Sequence, residues 1–179
     1  MLGIYLKVML YAAVAIAFPF IIYQTVVFIR PALTKREKAY LYTLLPSIFI
    51  LFIGGVLFAY FVLLPPALNF LLTFGGNIAQ PMIKVDNYIS VLVRLIFWIG
   101  ICFEIPLVIF FLSKIGILNS ERLKKFRPWA YILAFVLGGI ITPTFDPINQ
   151  SLVAVPIIIL YEFGTLLAKL AKKKKAEAT

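Results

Sequence analysis

Histidine is absent from the 179 residues, and Cys102 is the single cysteine. Without histidine there are no Ser-His or Cys-His nucleophile pairs, no His-ligated metal site and no imidazole proton shuttle. One cysteine excludes an internal disulfide and a Cys-rich metal centre. Charge is also scarce. Charged residues make up 13% of the chain, against about 25% in an ordinary soluble domain. Only seven of them are acids, which leaves few carboxylate pairs for acid-base work. No phosphate-cradling glycine loop of the G-x-x-x-x-G-K-[ST] type occurs. These absences point away from an enzyme and call for neither cofactor nor metal.

What the chain has in excess is apolar surface. Hydrophobic residues account for 63% of it, and the mean hydropathy is +1.05. A soluble domain of this size could not bury so much, so a cytosolic enzyme, a disordered chain and a secreted scaffold are excluded. The composition predicts an all-α, polytopic membrane bundle forming a single membrane domain. Five apolar spans are read at about 2–29, 42–64, 89–112, 129–141 and 151–168, followed by a tail at 169–179. The second span is predicted to end at Pro65-Pro66, and a looser stretch with Gly75-Gly76 and Pro81 follows it. Crossing a hydrocarbon core takes ~20 helical residues. The fourth run has 13 residues between Pro128 and Pro143, about 20 Å of helix. A helix that short thins the bilayer, snorkels its flanking charges or packs behind longer neighbours.

The net charge of +10 would suggest nucleic acid in a soluble protein. Here the cations flank apolar spans, which is how membrane orientation is encoded, and nucleic acid is not an expected partner. Four lie at Arg30, Lys35, Arg36 and Lys38; five at Lys114, Arg122, Lys124, Lys125 and Arg127; and five at Lys169 and Lys172–Lys175. Those are 14 of the 17 basic residues, and only Lys7, Lys84 and Arg94 lie elsewhere. The positive-inside rule then makes the three clusters and the C-terminus cytoplasmic, and five spans put Met1 outside. Lys7 and Arg94 are read as reaching the outer headgroups.

Ionisable groups inside spans are functional candidates because they cost ~2.5–3.5 kcal/mol to insert. Glu104 sits mid-span in Phe103-Glu104-Ile105-Pro106, where the proline frees a carbonyl and kinks the helix. It is read as a polar contact in a cavity or between subunits, or else as a protonated carboxyl satisfied by a neighbouring helix. Glu162, near the inner end of the last span, either reaches the headgroups or acts within the membrane. Asp146 precedes Pro147 and suits a turn residue capping the last helix. Glu37 is the one acid among the four cations of the first basic loop. On chemistry alone it is either a local ion pair or a receiver of a cationic ligand.

Taken in order, these residues resemble the TatC family, the polytopic subunit of the twin-arginine protein translocase. The matching stretches begin with Phe28-x-x-Pro31-Ala32-Leu33 and Glu37, then Gly54, Phe58-Ala59-Tyr60-Phe61 and Pro65, then Phe103-Glu104-x-Pro106. They continue through Gly116-Ile117, Arg127-Pro128, Ala134-Phe135, Thr142-Pro143, Asp146, Ala154-x-Pro156 and Tyr161-Glu162. Each is weak singly; the ordered set, spread over nearly the whole chain, is strong.

The resemblance implies a cupped helical bundle whose last two spans are short. It implies binding of Arg-Arg signal peptides of folded cargo and assembly with TatA-like and TatB-like single-span proteins. It further implies several copies per complex, surrounding membrane lipid, an inner (plasma) membrane location and transport driven by the proton-motive force. By position, Glu37 would receive the twin-arginine motif on a surface shaped by Phe28, Pro31 and Leu33. Glu104 would be the acid of the concave face, and Thr142 with Gln150 would form a polar patch where partner spans dock. Family members also carry an N-terminal segment and a first span ahead of the position matched by Leu2. These are expected from a longer chain, a different start site or a separate polypeptide. The competing reading is a small secondary transporter or proton channel using Glu104 and Glu162.

The basic-residue bias makes a prediction about orientation. In membrane vesicles, Gly76→Cys should be labelled by an impermeant thiol reagent from the outside, and Lys124→Cys only from the cytoplasmic side. Labelling in the reverse order would overturn the orientation.

Overall fold

The structure, a computed structural model, describes residues 2–29, 35–73, 85–142 and 146–176. They form seven α-helical segments: α1 (Leu2–Ile29), α2 (Lys35–Phe58), α3 (Leu64–Thr73), α4 (Val85–Cys102), α5 (Ile105–Lys114), α6 (Ser120–Ile141) and α7 (Pro147–Ala176). No strand occurs among the described residues. Helices dominate because a backbone in hydrocarbon must satisfy its own N–H and C=O groups, and an α-helix does so within one segment. Among the described residues, four stretches are long and apolar enough to cross a membrane: Gly3–Phe28, Pro46–Asn69, Tyr88–Lys114 and Pro147–Leu170. The remaining predicted run, 129–141, forms the apolar half of α6.

Two boundaries differ from those read in the sequence. The second span does not stop at Pro65-Pro66. A π-helical turn over Ala59–Leu63 carries α2 directly into α3, which runs on to Thr73. In an α-helix each proline ring would crowd the carbonyl four residues back, and its missing N–H would break the ladder. The wider turn, with the Leu64 N–H reaching back to the Ala59 carbonyl, opens the ladder just before the two prolines. The second difference lies in α6, which starts at Ser120 rather than near Trp129. Its first two turns are polar and lie outside the apolar run, with Glu121 favourably placed at the positive end of the helix dipole. Pro128 lies inside this helix without ending it.

The third apolar run is interrupted where Pro106 requires it. α4 ends at Cys102, Phe103 and Glu104 form a turn, and α5 restarts with Pro106 in its first turn. α5 then closes on Gly116. The φ of this glycine is +87°, while the Ile117 and Gly116 N–H groups bond to the Leu112 and Ser113 carbonyls. That pattern satisfies two terminal carbonyls and needs a residue without a Cβ.

α7 packs against both α5 and α6, while α1 and α2 lie on α4. The largest core cluster joins Leu95, Ile99 and Cys102 of α4 to Ala134 and Ile141 of α6 and Val153, Ala154 and Ile157 of α7. α1 is the least covered helix: Leu6, Met9, Leu10 and Ile16 are each more than half exposed. In water that surface would be a severe liability; in a bilayer it meets acyl chains of its own polarity.

Lipid removes the hydrophobic drive that packs soluble helices, so close approach and dispersion must hold the bundle. Small residues provide it. A Cβ on Gly138 would lie 2.7 Å from the Gln150 carbonyl oxygen, so α6 and α7 touch backbone to backbone there. Gly138→Val should therefore force the two helices apart and cost about 1–3 kcal/mol, the usual range for overpacking. Gly54→Ala, where nothing lies within 4 Å of a new Cβ, should cost nothing. Thermal unfolding of the detergent-solubilised chain checks this; equal midpoints for the two variants would refute the close-packing role.

Candidate functional site

Glu104 occupies the turn between α4 and α5 and is 2% exposed. Its position follows from local sequence. Pro106 cannot donate to the α4 ladder, so the helix breaks and Glu104 becomes the residue preceding α5, its carbonyl accepting from the Val108 N–H at 3.0 Å. Glycines on two neighbouring helices enclose the turn. Gly164 of α7 stands where a Cβ would meet Pro106 Cα at 3.1 Å and Ile109 Cδ1 at 2.8 Å. Gly55 of α2 faces Phe103, whose Cβ would be 2.8 Å from an added methyl. The turn is thus buried rather than bathed in lipid, as an irregular segment at membrane depth must be.

Neither Glu104 carboxyl oxygen has a hydrogen-bond partner among the described residues. A buried polar group left unpaired costs ~1–3 kcal/mol. Of the alternatives open to Glu104, satisfaction by a neighbouring helix of this chain is therefore not what the described residues provide. Both oxygens are themselves buried, so a donor from outside these residues has to enter the core to meet them.

Glu162 meets a different fate. Arg127 Nη2 lies 2.5 Å from its Oε2, Tyr131 Oη donates to its Oε1 at 2.6 Å, and Thr165 Oγ1 reaches Oε2 at 3.4 Å. The Arg127 and Glu162 side chains are 40% and 29% exposed, so this is a half-buried, charge-assisted cluster clamping α6 to α7. Tyr161 adds a bond from its hydroxyl to the Leu123 carbonyl at 2.7 Å. The cluster was missed in the sequence, although Arg127 and Tyr131 are one helical turn apart, as are Glu162 and Thr165. The partnership of the two faces, 35 residues apart, is tertiary. It also removes one of the two acids on which the transporter or proton-channel reading rested.

At the other end of the α6–α7 pair the polar residues are likewise engaged. Thr142 is buried, and its hydroxyl donates to the Gly138 carbonyl at 2.8 Å. Gln150 Nε2 donates to the Phe135 carbonyl at 2.7 Å. Asp146 caps α7 as the sequence suggested, its Oδ2 accepting the Asn149 N–H at 2.7 Å. Thr142 and Gln150 thus sit together beside the close approach at Gly138, remote in sequence from Glu104.

The first-loop set is only partly described. Phe28 lies in the last turn of α1 with 81% of its surface exposed. Pro31 and Leu33 lie outside the described residues. Glu37 falls in the first turn of α2, and its side chain also lies outside the described residues.

Apolar helices, an irregular turn hidden at membrane depth and a carboxyl held there define a multi-pass α-helical membrane protein. The profile of the family described as Sec-independent protein translocase protein (TatC) matches residues 1–156. The TatC protein of Aquifex aeolicus is 44% identical over 178 residues, covering 98% of this chain and 73% of that protein. TatC of Carboxydothermus hydrogenoformans is 38% identical over 170 residues, covering 95% and 70%, and TatCd of Bacillus subtilis is 38% identical over 179, covering 99% and 74%. A crystal structure of the twin-arginine translocase receptor TatC superposes with a TM-score of 0.85 at 43% identity, covering 96% of this chain and 75% of that one. The chain belongs to the TatC family and is a subunit of the Sec-independent, twin-arginine protein translocase.

If the Arg127–Glu162 pair clamps α6 to α7, the two residues should be energetically coupled. Arg127→Gln and Glu162→Gln should each lower stability, and the double variant should lose less than their sum by about 0.5–3 kcal/mol. Tyr131→Phe should cost less than either. Chemical unfolding in detergent measures the cycle; strictly additive losses would show that the pair contributes no coupling.

Proposed function

We propose that this subunit receives twin-arginine signal peptides at its first basic loop and docks single-span TatA-like and TatB-like partners against the face that carries Glu104. It does so from the inner (plasma) membrane, with the three basic clusters and the C-terminus in the cytoplasm. It works in a complex of several copies that uses the proton-motive force and catalyses no bond chemistry of its own.

The observation that carries the docking half is the Glu104 carboxyl, buried and without a partner among the described residues. An unpaired acid at membrane depth is costly to keep and inexpensive to satisfy by a polar side chain from an incoming helix. Thr142 and Gln150 are proposed as a second polar contact for such helices; the Gln150 amide, which donates to the Phe135 carbonyl, also carries an acceptor oxygen. The peptide half rests on Glu37 as the one acid of a cationic loop, with Phe28, Pro31 and Leu33 beside it in sequence. A carboxylate meets a guanidinium through two parallel bonds, which an ammonium cannot make.

One set of variants in nanodiscs tests both halves. Glu37→Ala should weaken binding of an Arg-Arg peptide by roughly tenfold, about 1.4 kcal/mol, and Glu37→Lys by more. Lys-Lys peptides, already weak binders, should change less. Glu104→Ala should leave peptide affinity intact but abolish crosslinking to TatA-like and TatB-like helices, while Glu104→Gln should retain much of it. Unchanged discrimination between Arg-Arg and Lys-Lys peptides in Glu37→Ala would remove the peptide site from the first loop. Full crosslinking in Glu104→Ala would reduce Glu104 to a packing residue.

A further inference from the structure

The first half of α6 places two cations and two aromatic rings on one exposed face. At the angular spacing of an α-helix, Arg122, Lys125, Phe126 and Trp129 fall within about 100° of arc. They lie on the side of the helix away from Leu123 and Ala134, which are buried in the core. Arg122 and Lys125 are exposed, Phe126 is 48% exposed and Trp129 is 62% exposed. The same face continues through Leu133, Val136 and Ile140, each about half exposed. Along about 27 Å of helix the surface thus passes from basic to aromatic to aliphatic.

We propose that this face holds one anionic phospholipid of the leaflet on the side of the basic clusters. Its phosphate sits between Arg122 and Lys125, and an acyl chain runs along Leu133, Val136 and Ile140. Among the described residues neither cation has an ion pair or a hydrogen-bonded side chain, and Glu121, at the edge of the face, pairs with neither. Arg122 and Lys125 are one turn apart, so both can reach one phosphate, which accepts a charge-assisted bond from each. The Trp129 indole N–H, also without a partner among the described residues, follows about 6 Å beyond Lys125 along the axis. There it can donate to a lipid ester carbonyl.

The lower part of the face argues for a lipid over free phosphate. Phe126 and Trp129 beside the cations would be a costly patch in water. At the headgroup level of a bilayer the same order is favourable, with the cationic ends in the polar layer and the indole just beneath them. α6 has only 13 apolar residues after these turns, which keeps its basic start close to the headgroups. Lys124 and Lys169 are exposed as well, but Lys124 projects from the flank of α6 and Lys169 belongs to α7, which packs on the buried side of α6. A ligand matching this face needs an anionic head and an apolar body, which a phospholipid has and inorganic phosphate lacks.

Trp98 and Trp129 are the two tryptophans of the chain, so Trp98→Phe leaves Trp129 as the one indole reporter. In nanodiscs carrying that variant, brominated phosphatidylglycerol should quench Trp129 about fivefold more effectively than brominated phosphatidylcholine at equal mole fraction. Adding Arg122→Gln with Lys125→Gln should abolish the preference, whereas adding Arg122→Lys should keep most of it. Adding Lys124→Gln with Lys169→Gln, which removes the same charge off this face, should leave it intact. Circular dichroism of each variant checks that the helices are formed. Equal quenching by the two lipids, or quenching by neither, would overturn the site. Equal loss from both double variants would reduce the effect to net charge and overturn it too, as would full preference in the Arg122–Lys125 variant. Loss of the preference in millimolar inorganic phosphate, but not in chloride of the same ionic strength, would overturn the assignment to lipid.

Discussion

Backbone contact between α7 and its two neighbours is the constraint on which the rest of the molecule depends. At Gly138 the α6 helix meets the Gln150 carbonyl, and at Gly164 the α7 helix meets Pro106 and Ile109, with no room for a methyl group at either point. Lipid offers no hydrophobic gain for bringing these helices together. Without the glycines, the α6–α7 pair would stand farther apart, and Thr142 and Gln150 would lose their common junction. The α4–α5 turn would lose one of its walls. The polar groups of the α6–α7 pair are positioned by these contacts together with hydrogen bonds between the two helices.

The two span acids show how one residue type takes opposite roles from its surroundings. Glu162 stands near the basic end of α7, within reach of Arg127 and Tyr131, and its charge is met inside the chain. Glu104 stands at a proline-broken turn lined by glycines and aliphatic side chains, and nothing described meets it. A satisfied buried pair holds two helices in register, whereas an unsatisfied buried acid favours whatever binds it. In a translocase subunit these are different tasks. The first keeps the scaffold in shape, and the second underlies the proposal that other helices dock against this acid.

Bilayer thickness links the basic clusters to the short spans. α6 carries only 13 apolar residues after its polar first turns, so its charged start must lie close to the level where α7 presents Glu162. Arg127 then reaches an acid rather than the headgroups alone. Lys7 of α1 and Arg94 of α4 line one cleft between those helices.

Much of this was legible in the residues. Composition alone decided for a membrane bundle. The run from Leu2 to Ile29 became α1, Pro106 broke the third span beside Glu104, and Asp146 capped the last helix. The ordered set from Phe28 to Glu162 pointed to the TatC family. These are local matters, set by hydropathy, by the missing N–H of proline and by the reach of a short carboxylate to the next turn. What the residues did not disclose was every outcome that depends on two distant segments meeting. The π-turn that carries α2 past Pro65-Pro66, the pairing of Glu162 with Arg127, the isolation of Glu104 and the meeting of Lys7 with Arg94 are of this kind. Periodicity names the face of a helix but not the helix opposite it. Whether a buried charge is met or left alone is decided only when packing brings a partner within about 3 Å of it.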